Sequence, residues 1–181
     1  MKTIIVENPA IIKKNKSKLE KELNINITSN EKNREIIIDG EAEDEYLAEK
    51  IIDVLNFGFP FSAAMLIKKE DFLFEIIDIK HYTKRENLRT VRARIIGRGG
   101  KTLRVLHDLT KCYVEIKENH IAIIGDPEYI QNCQEAIISL IRGSKHSNVY
   151  AFLEKHQVQP IFDFGLKPLK SKRKNRKKNK K

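Results

Sequence analysis

An internal repeat limits the folds open to this chain more than any other feature of its sequence. A shift of 84 residues places residues 11–12 on residues 95–96, an Ile-Ile pair in both places. A shift of 85 then aligns the Ile-Ile-Ile-Asp-Gly segment at 36–40 with the Ile-Ala-Ile-Ile-Gly segment at 121–125. Similarity at a nearly constant spacing indicates repeated structural units. The sequence therefore predicts two copies of one small fold.

The spacing of apolar residues predicts the same order of elements in both units. Runs of β-branched residues are typical of strands, whereas apolar residues three or four apart are typical of helices. Each unit is expected to be β-α-α-β-β-α, a three-stranded sheet backed by three helices, so the fold class is α+β. The first unit has predicted strands at 2–6, 25–28 and 35–38 and predicted helices at 11–23 and 43–56. The second has predicted strands at 72–79, 112–117 and 120–124, with two helices within 86–107 and another after the last strand.

The last helix of the second unit has clear start and stop signals. Asp126 is expected to be its N-cap and Pro127 its first residue, since both residue types favour these positions. Apolar residues such as Ile130 and Ile137 recur at helical spacing and are expected in the core. Gly143 is expected to end the helix.

A Gly-x-x-Gly turn, Gly97-Arg98-Gly99-Gly100, separates the two basic helices of the second unit. Glycine tolerates a positive φ and lets the backbone of a ligand approach closely. The helix that follows would direct its free N–H groups and the positive end of its dipole at a bound anion. Arg98 and Lys101 add positive side chains at the same place. These features together predict binding of a sugar-phosphate backbone.

Two other structures would also place glycines before Lys101 and Thr102. A nucleotide-binding P-loop needs a glycine where this chain has Ile95, and it follows a buried strand rather than a charged helical pattern. The P-loop is therefore excluded. An ordinary corner between two helices, with glycine at the bend, stays open when the turn is considered alone.

The positive charge of the chain lies at its C-terminus. The net charge is +10, and residues 167–181 contain ten lysines or arginines and no acid, which leaves 25 basic and 25 acidic residues elsewhere. Such a segment repels itself and buries nothing, so residues 158–181 are expected to be disordered until they meet a polyanion. A tail that serves solubility or localisation is the alternative.

Other residue types point away from metal binding and covalent chemistry. Cys112 and Cys133 lack CxxC spacing and lie among apolar residues, so buried reduced thiols are expected. The five histidines show no ligand spacing. No acid stands where it would orient a serine and histidine pair within residues 144–147. With no apolar run of transmembrane length and no signal-peptide pattern, we expect a cytoplasmic protein with no cofactor, metal or membrane partner.

The second unit resembles a KH domain, a module that binds RNA or single-stranded DNA through a Gly-x-x-Gly loop. The first unit resembles a KH domain without this loop, because Lys13-Lys14-Asn15-Lys16 stands in its place. The segments at 74–80, 96–102 and 142–153 narrow the resemblance to the archaeal and eukaryotic tandem-KH ribosome-assembly factors, the Dim-type or partner-of-Nob proteins. The expected domains are a KH-like unit at 1–69, a KH domain at 70–157 and a basic tail at 158–181.

This resemblance implies a role in ribosome assembly. It implies binding near the 3′ end of the small-subunit rRNA precursor, where the protein would assist the Nob endonuclease. A translation initiation factor is a further candidate partner, and no catalytic activity is expected. Three alternatives stay open: a general RNA chaperone or translation-linked RNA-binding adaptor, an enzyme of RNA or nucleotide chemistry, and a protein-interaction adaptor with a vestigial groove.

The resemblance also implies which residues touch RNA. In a KH unit the RNA lies between the glycine loop and the second strand, here residues 113–116. The apolar side chains near the loop and strand could instead belong to the core. This alternative stays open for Ile96, Leu103 and Val114. Arginines before the loop could extend the positive surface or simply solvate a helix face; they are Arg85, Arg89, Arg92 and Arg94. The residues expected to hold the RNA backbone are Gly97, Arg98, Gly99, Gly100, Lys101 and Arg104, and those expected under the bases are Ile96, Leu103 and Val114.

Overall fold

The computed structural model describes residues 1–30, 33–69 and 72–156. Strands and helices alternate along the chain in two similar series, which bears out the α+β class. The first series is β1 Lys2–Ile5, α1 Pro9–Leu23, β2 Asn26–Asn30, β3 Glu35–Asp39, α2 Ala42–Phe57, α3 Phe61–Ala64 and α4 Leu66–Lys69. The second is β4 Leu73–Asp78, α5 Ile79–Tyr82, α6 Leu88–Ile96, α7 Lys101–Thr110, β5 Tyr113–Lys117, β6 His120–Gly125, α8 Ile130–Arg142 and α9 His146–Lys155.

The two sheets have the same topology. Their strand orders are β1-β3-β2 and β4-β6-β5, and all neighbouring strands are antiparallel. In the first sheet Ile27 pairs with Ile38, and in the second Ile77 pairs with Ile121. Alternate residues of each central strand point to one face and are buried there under the helices. The common topology confirms that the repeat in the sequence reflects a repeated fold.

The first unit departs from the predicted β-α-α-β-β-α order, because α1 is one continuous helix. Residues 13–16, which align with the glycine loop, lie inside it. Ile12 and Leu19 are buried on one face, and the side-chain amide of Asn15 donates to the Ile11 carbonyl at 2.9 Å. Without glycine, the positive φ values that a loop needs here are unfavourable, so the helix continues. The expectation of two helices before the hairpin of this unit is wrong.

The start of the last helix of the second unit also differs from the prediction. Helix α8 begins at Ile130, four residues after Asp126. The Asp126 carboxylate accepts a hydrogen bond from the Glu128 amide at 2.7 Å, and its carbonyl accepts one from the Ile130 amide at 2.9 Å. Asp126 therefore caps a turn that precedes the helix, and Pro127 lies in that turn. Gly143 ends the helix with φ 106°, as predicted.

The two units share a packed interface. Ala122 and Ile124, from the central strand of the second sheet, are buried in the core of the first unit. Phe74 of β4 makes edge contacts with Phe57 and Phe59, with ring centroids 6.4 and 6.3 Å apart. Each such pair adds about 0.5–1.5 kcal/mol beyond area burial. The first unit thus supports the sheet of the second from the side opposite its helices.

Both cysteines are buried free thiols, as the sequence predicts. The hydrogen bond with the Cys112 thiol, together with burial, raises the pKa of Cys133 well above its usual value. The predicted disorder of the basic tail concerns residues that lie outside the described ones. Across the described ranges, every helix is too short or too polar to pass through a bilayer.

Candidate nucleic-acid interface

The glycine loop joins α6 to α7 through a single 3₁₀ turn, Arg98–Gly100. Gly97 ends α6 with φ 74°, and Gly99 and Gly100 have φ 60° and 73°. The Gly100 amide donates to the Gly97 carbonyl at 3.2 Å, which closes the turn. Positive φ at three of four residues is a conformation that glycine adopts readily and most L-residues do not. The three glycines therefore specify the backbone conformation of the loop.

The glycines of the loop differ in what surrounds them. A Cβ atom on Gly97 would lie 2.8 Å from the Thr102 backbone nitrogen and closer still to the Thr102 hydroxyl. A Cβ atom on Gly99 or Gly100 would meet nothing within 4 Å. Gly97 therefore packs against the start of α7, whereas Gly99 and Gly100 face open space. The open side is where the backbone of a ligand can approach.

This difference predicts that Gly97→Ala destabilises the fold much more than Gly99→Asn. At Gly97 the new methyl group meets Thr102, and backbone strain of this kind costs about 1–3 kcal/mol. At Gly99, with φ 60° and ψ 31°, asparagine is among the residues that tolerate the left-handed region. Urea unfolding followed by circular dichroism measures both changes. Equal losses in the free energy of unfolding would contradict the claim that Gly97 is packed and Gly99 is open.

Two cations on the loop are available to a ligand. Arg98 and Lys101 are exposed, and neither side chain forms a hydrogen bond or ion pair with any described residue. Helix α7 follows directly, and its N-cap, Gly100, provides no side chain to cap the first N–H groups. A phosphate at this point would meet both the helix N-terminus and two exposed positive charges.

Arg104 lies one turn into α7 and turns back toward the loop. Its guanidinium donates to the Gly99 carbonyl. The side chain therefore braces the loop in the conformation described above. Its positive charge still lies beside the open side of Gly99.

The three apolar candidates differ in exposure. Ile96, the last residue of α6, is 38% exposed. Leu103 and Val114 are half-buried and pack against the core of the second unit. Val114 lies on β5, at the edge of the sheet. Ile96 therefore has an exposed apolar surface beside the loop, whereas Leu103 and Val114 are partly exposed and contribute to the core of the second unit.

Two of the four arginines before the loop make contacts that the sequence does not reveal. Arg92 donates to the Glu118 carbonyl at 2.8 Å and to the Asn119 side chain at 3.1 Å. Arg94 donates to the carbonyls of Gly143 and Ser144. These arginines tie α6 to the hairpin and to the end of α8, so they do more than solvate a helix face. The other two, Arg85 and Arg89, are exposed.

Helix α9 supplies two side chains next to the loop that the sequence analysis missed. The Tyr150 hydroxyl donates to the Thr102 hydroxyl at 3.2 Å, and His146 Nε2 lies 3.0 Å from the Arg94 carbonyl. Their spacing of four residues indicates a common helix face. Nothing in the sequence indicates that this face packs against a loop almost fifty residues earlier.

Comparison with known proteins finds a family match over the second unit. The model for the second KH domain of PNO1, described as a eukaryotic-type KH domain of type I, matches residues 73–158. RNA-binding protein pno-1 of Caenorhabditis briggsae is 31% identical over 142 residues, covering 74% of this chain and 51% of that protein. Pre-rRNA-processing protein pno1 of Emericella nidulans is 31% identical over 111 residues, covering 59% of this chain and 43% of that protein. The chain spans about half the length of the curated relatives it matches.

A solved structure extends the similarity to both units. The aDim2p complex with a/eIF2alpha and rRNA from Pyrococcus horikoshii OT3 contains a chain that superposes with a TM-score of 0.77 and 27% identity. The superposition covers 86% of this chain and 92% of that one. Sequence and fold agree on the resemblance inferred from the glycine loop and the repeat. The chain therefore belongs to the PNO1/Dim2-type family of KH-domain proteins.

Proposed function

We propose that this protein is a ribosome-assembly factor that binds the small-subunit rRNA precursor near its 3′ end and assists its maturation by the Nob endonuclease. Its relatives are named for RNA binding and pre-rRNA processing, and a structural relative is in a complex with rRNA. The observation that carries the proposal is the loop in the second unit, where open glycines adjoin two exposed cations.

In this proposal the RNA backbone crosses the loop and the bases face the sheet. Phosphates bind the open side of Gly99 and Gly100, where Arg98 and Lys101 supply charge and α7 supplies N–H groups. Arg104 contributes by holding the loop and by its charge. The bases lie over an apolar floor formed by Ile96, Leu103 and Val114. This division suits RNA, because phosphate contacts give affinity while unstacked bases are read one by one.

The first unit serves as a scaffold in this proposal. Its continuous helix α1 has no loop that could admit an RNA backbone. The first unit packs beneath the second sheet through Phe57, at the end of α2, and Phe59. We propose domain boundaries at 69/70 and 157/158, with a tail at 158–181 that attracts RNA without regard to sequence. We also place the protein in the cytoplasm.

The proposal predicts that the protein does not cut RNA but changes how the Nob nuclease cuts it. Binding phosphate requires only the loop, whereas cleavage also requires a base, a metal or a nucleophile aligned with the scissile bond. The pure protein, incubated with a small-subunit rRNA 3′ precursor and Mg²⁺ or Mn²⁺, should leave the RNA whole. Adding the nuclease should give cleavage that differs in rate or position from that of the nuclease alone.

Two results would overturn this prediction. Cutting by the protein alone, lost on substitution of one of its own carboxylates, would make it an enzyme. Identical cleavage with and without the protein would remove the partnership with the nuclease while leaving RNA binding in place. A nuclease preparation without the protein is the necessary control in each series.

A translation-linked adaptor or general RNA chaperone is the second candidate function. The presence of a/eIF2alpha in the complex of the structural relative favours the adaptor role. Competition separates the candidates: unlabelled rRNA 3′ precursor should displace a labelled fragment far better than unrelated single-stranded RNA of equal length. Equal competition would favour the chaperone. A translation initiation factor added to the protein–RNA complex should comigrate with it if the adaptor role applies.

A further inference from the structure

A cleft lies between the glycine loop and α9, beside the path proposed for the RNA backbone. Its volume is about 260 Å³. This is just below the roughly 300 Å³ at which pockets for drug-sized ligands begin, so it suits a single nucleotide unit. The residues that line it are Gly97, Arg98, Lys101, Thr102, His146 and Tyr150.

The Tyr150 hydroxyl and one ring nitrogen of His146, both on α9, are hydrogen-bonded within the protein. The Tyr150 hydroxyl donates to Thr102, and His146 Nε2 meets the Arg94 carbonyl. The two rings are half-buried, with centroids 6.0 Å apart and planes inclined at 59°. The hydrogen bonds thus hold the Tyr150 and His146 rings in place, and parts of the ring surfaces line the cleft. A rigid aromatic surface beside exposed cations is the arrangement that single-stranded nucleic acids bind.

We propose that this cleft binds the base of a nucleotide next to the phosphate held by the glycine loop. The Tyr150 ring provides a stacking surface, and His146 limits the depth of the cleft. Arg98 and Lys101, which have no partner among the described residues, pair with the phosphate that connects the two nucleotides. The inference rests on the proposed function, since it extends RNA binding from the sheet side of the loop to its α9 side.

The structural and RNA-binding roles of Tyr150 can be separated by substitution. Tyr150→Phe removes the hydrogen bond to Thr102 and keeps the ring, whereas Tyr150→Leu also removes the stacking surface. If the cleft binds a base, Tyr150→Leu should weaken RNA binding about 5- to 100-fold, as expected for loss of one stacked base. Tyr150→Phe should stay within about threefold of the natural protein. A merely structural role predicts similar losses for both.

Tyr46→Leu is a matched control. Tyr46 lies on α2 of the first unit and is 57% exposed, with Lys50 Nζ 5.5 Å from its ring centroid. It offers an aromatic surface and a cation far from the glycine loop in sequence and in a different unit. Its substitution should leave RNA affinity unchanged. The thermal midpoint of each variant shows whether the fold is retained.

Photo-crosslinking of the natural full chain tests the proposal without any substitution. The probe is a single-stranded RNA of about twelve nucleotides from the 3′ end of small-subunit rRNA, three times the four nucleotides that a KH groove clamps. 5-Iodouridine replaces one nucleotide at a time, and mass spectrometry locates the adduct after irradiation. One probe position should give an adduct on Tyr150 or His146, and adjacent positions should give adducts on the loop or β5.

The outcomes distinguish this inference from the proposed function. Adducts on the loop or β5 with none on α9, together with natural affinity for Tyr150→Leu, would overturn the cleft and leave the proposed function intact. Equal binding by Gly99→Asp and the natural protein would instead overturn the loop assignment on which both depend. An adduct on α9 that disappears in the Gly99→Asp variant would support both.

Discussion

Replacing Arg98 and Gly99 together with aspartate is expected to abolish specific RNA binding while the fold stays intact. The change removes one exposed cation and places two carboxylates on the open side of the loop, where a phosphate would bind. Hydrogen bonds to charged groups contribute about 1.5–3 kcal/mol each. Losing two such bonds between the loop and a phosphate should weaken RNA binding by more than about a hundredfold. Fluorescence anisotropy with a labelled rRNA 3′ fragment measures the affinity.

The matched control for this double variant is R98N/G99N. Asparagine has the shape of aspartate without its charge, and it tolerates the left-handed conformation of Gly99. It should keep more affinity than the aspartate variant, and both should melt near the natural protein. Acids at the aligned positions, Lys14→Asp with Asn15→Asp, should matter less, because these residues lie within α1. If the change in α1 harms RNA affinity more, the assignment of the two units is reversed.

Deleting residues 167–181 should weaken binding to any RNA at low salt with little effect on sequence preference. The segment carries ten positive charges, and each phosphate contact with single-stranded RNA contributes about 0.7 to the slope of log affinity against log salt. The deletion should therefore flatten this slope by several units, up to about 7. Titrations at a series of salt concentrations, with matched and scrambled RNAs, measure both quantities.

A full-length chain whose ten tail cations are replaced by glutamine is the control for the deletion. It keeps the tail's length and removes its charge, so it should behave like the deletion. A salt slope that both changes leave unaltered would show that the tail does not contact RNA. A change confined to one RNA sequence would show that the tail takes part in recognition.

The fold could be predicted because its signals are local or repeated. Two shifted copies of one hydrophobic pattern indicated two units, and the hairpin around residues 118–119 followed from two strand-like runs. The glycine loop was equally clear, since positive φ at Gly97, Gly99 and Gly100 is what their residue type permits. In each case the residues that specify the structure lie close together in sequence.

The errors arose where the structure depends on more distant contacts. The continuity of α1 is an exception, because the absence of glycine at residues 13–16 is a local signal that already favours one helix. The roles of Arg92 and Arg94 depend on carbonyls 26 to 50 residues away. The position of α9 against the loop depends on contacts with residues about fifty positions earlier, such as that of the Tyr150 hydroxyl with Thr102 and that of His146 with Arg94, which no periodicity reveals. Side chains that look exposed on a helix wheel can therefore have their partners supplied by another element.

The most direct test of the central claim is to crosslink the protein to RNA in extracts of its own cells and sequence the bound fragments. The central claim is that the glycine loop of the second unit holds the 3′ region of the small-subunit rRNA precursor. Fragments from that region should dominate with the natural protein, persist at a lower level with R98N/G99N, and disappear with R98D/G99D. Fragments spread over unrelated RNAs, or an rRNA 3′ signal that survives R98D/G99D unchanged, would contradict the claim.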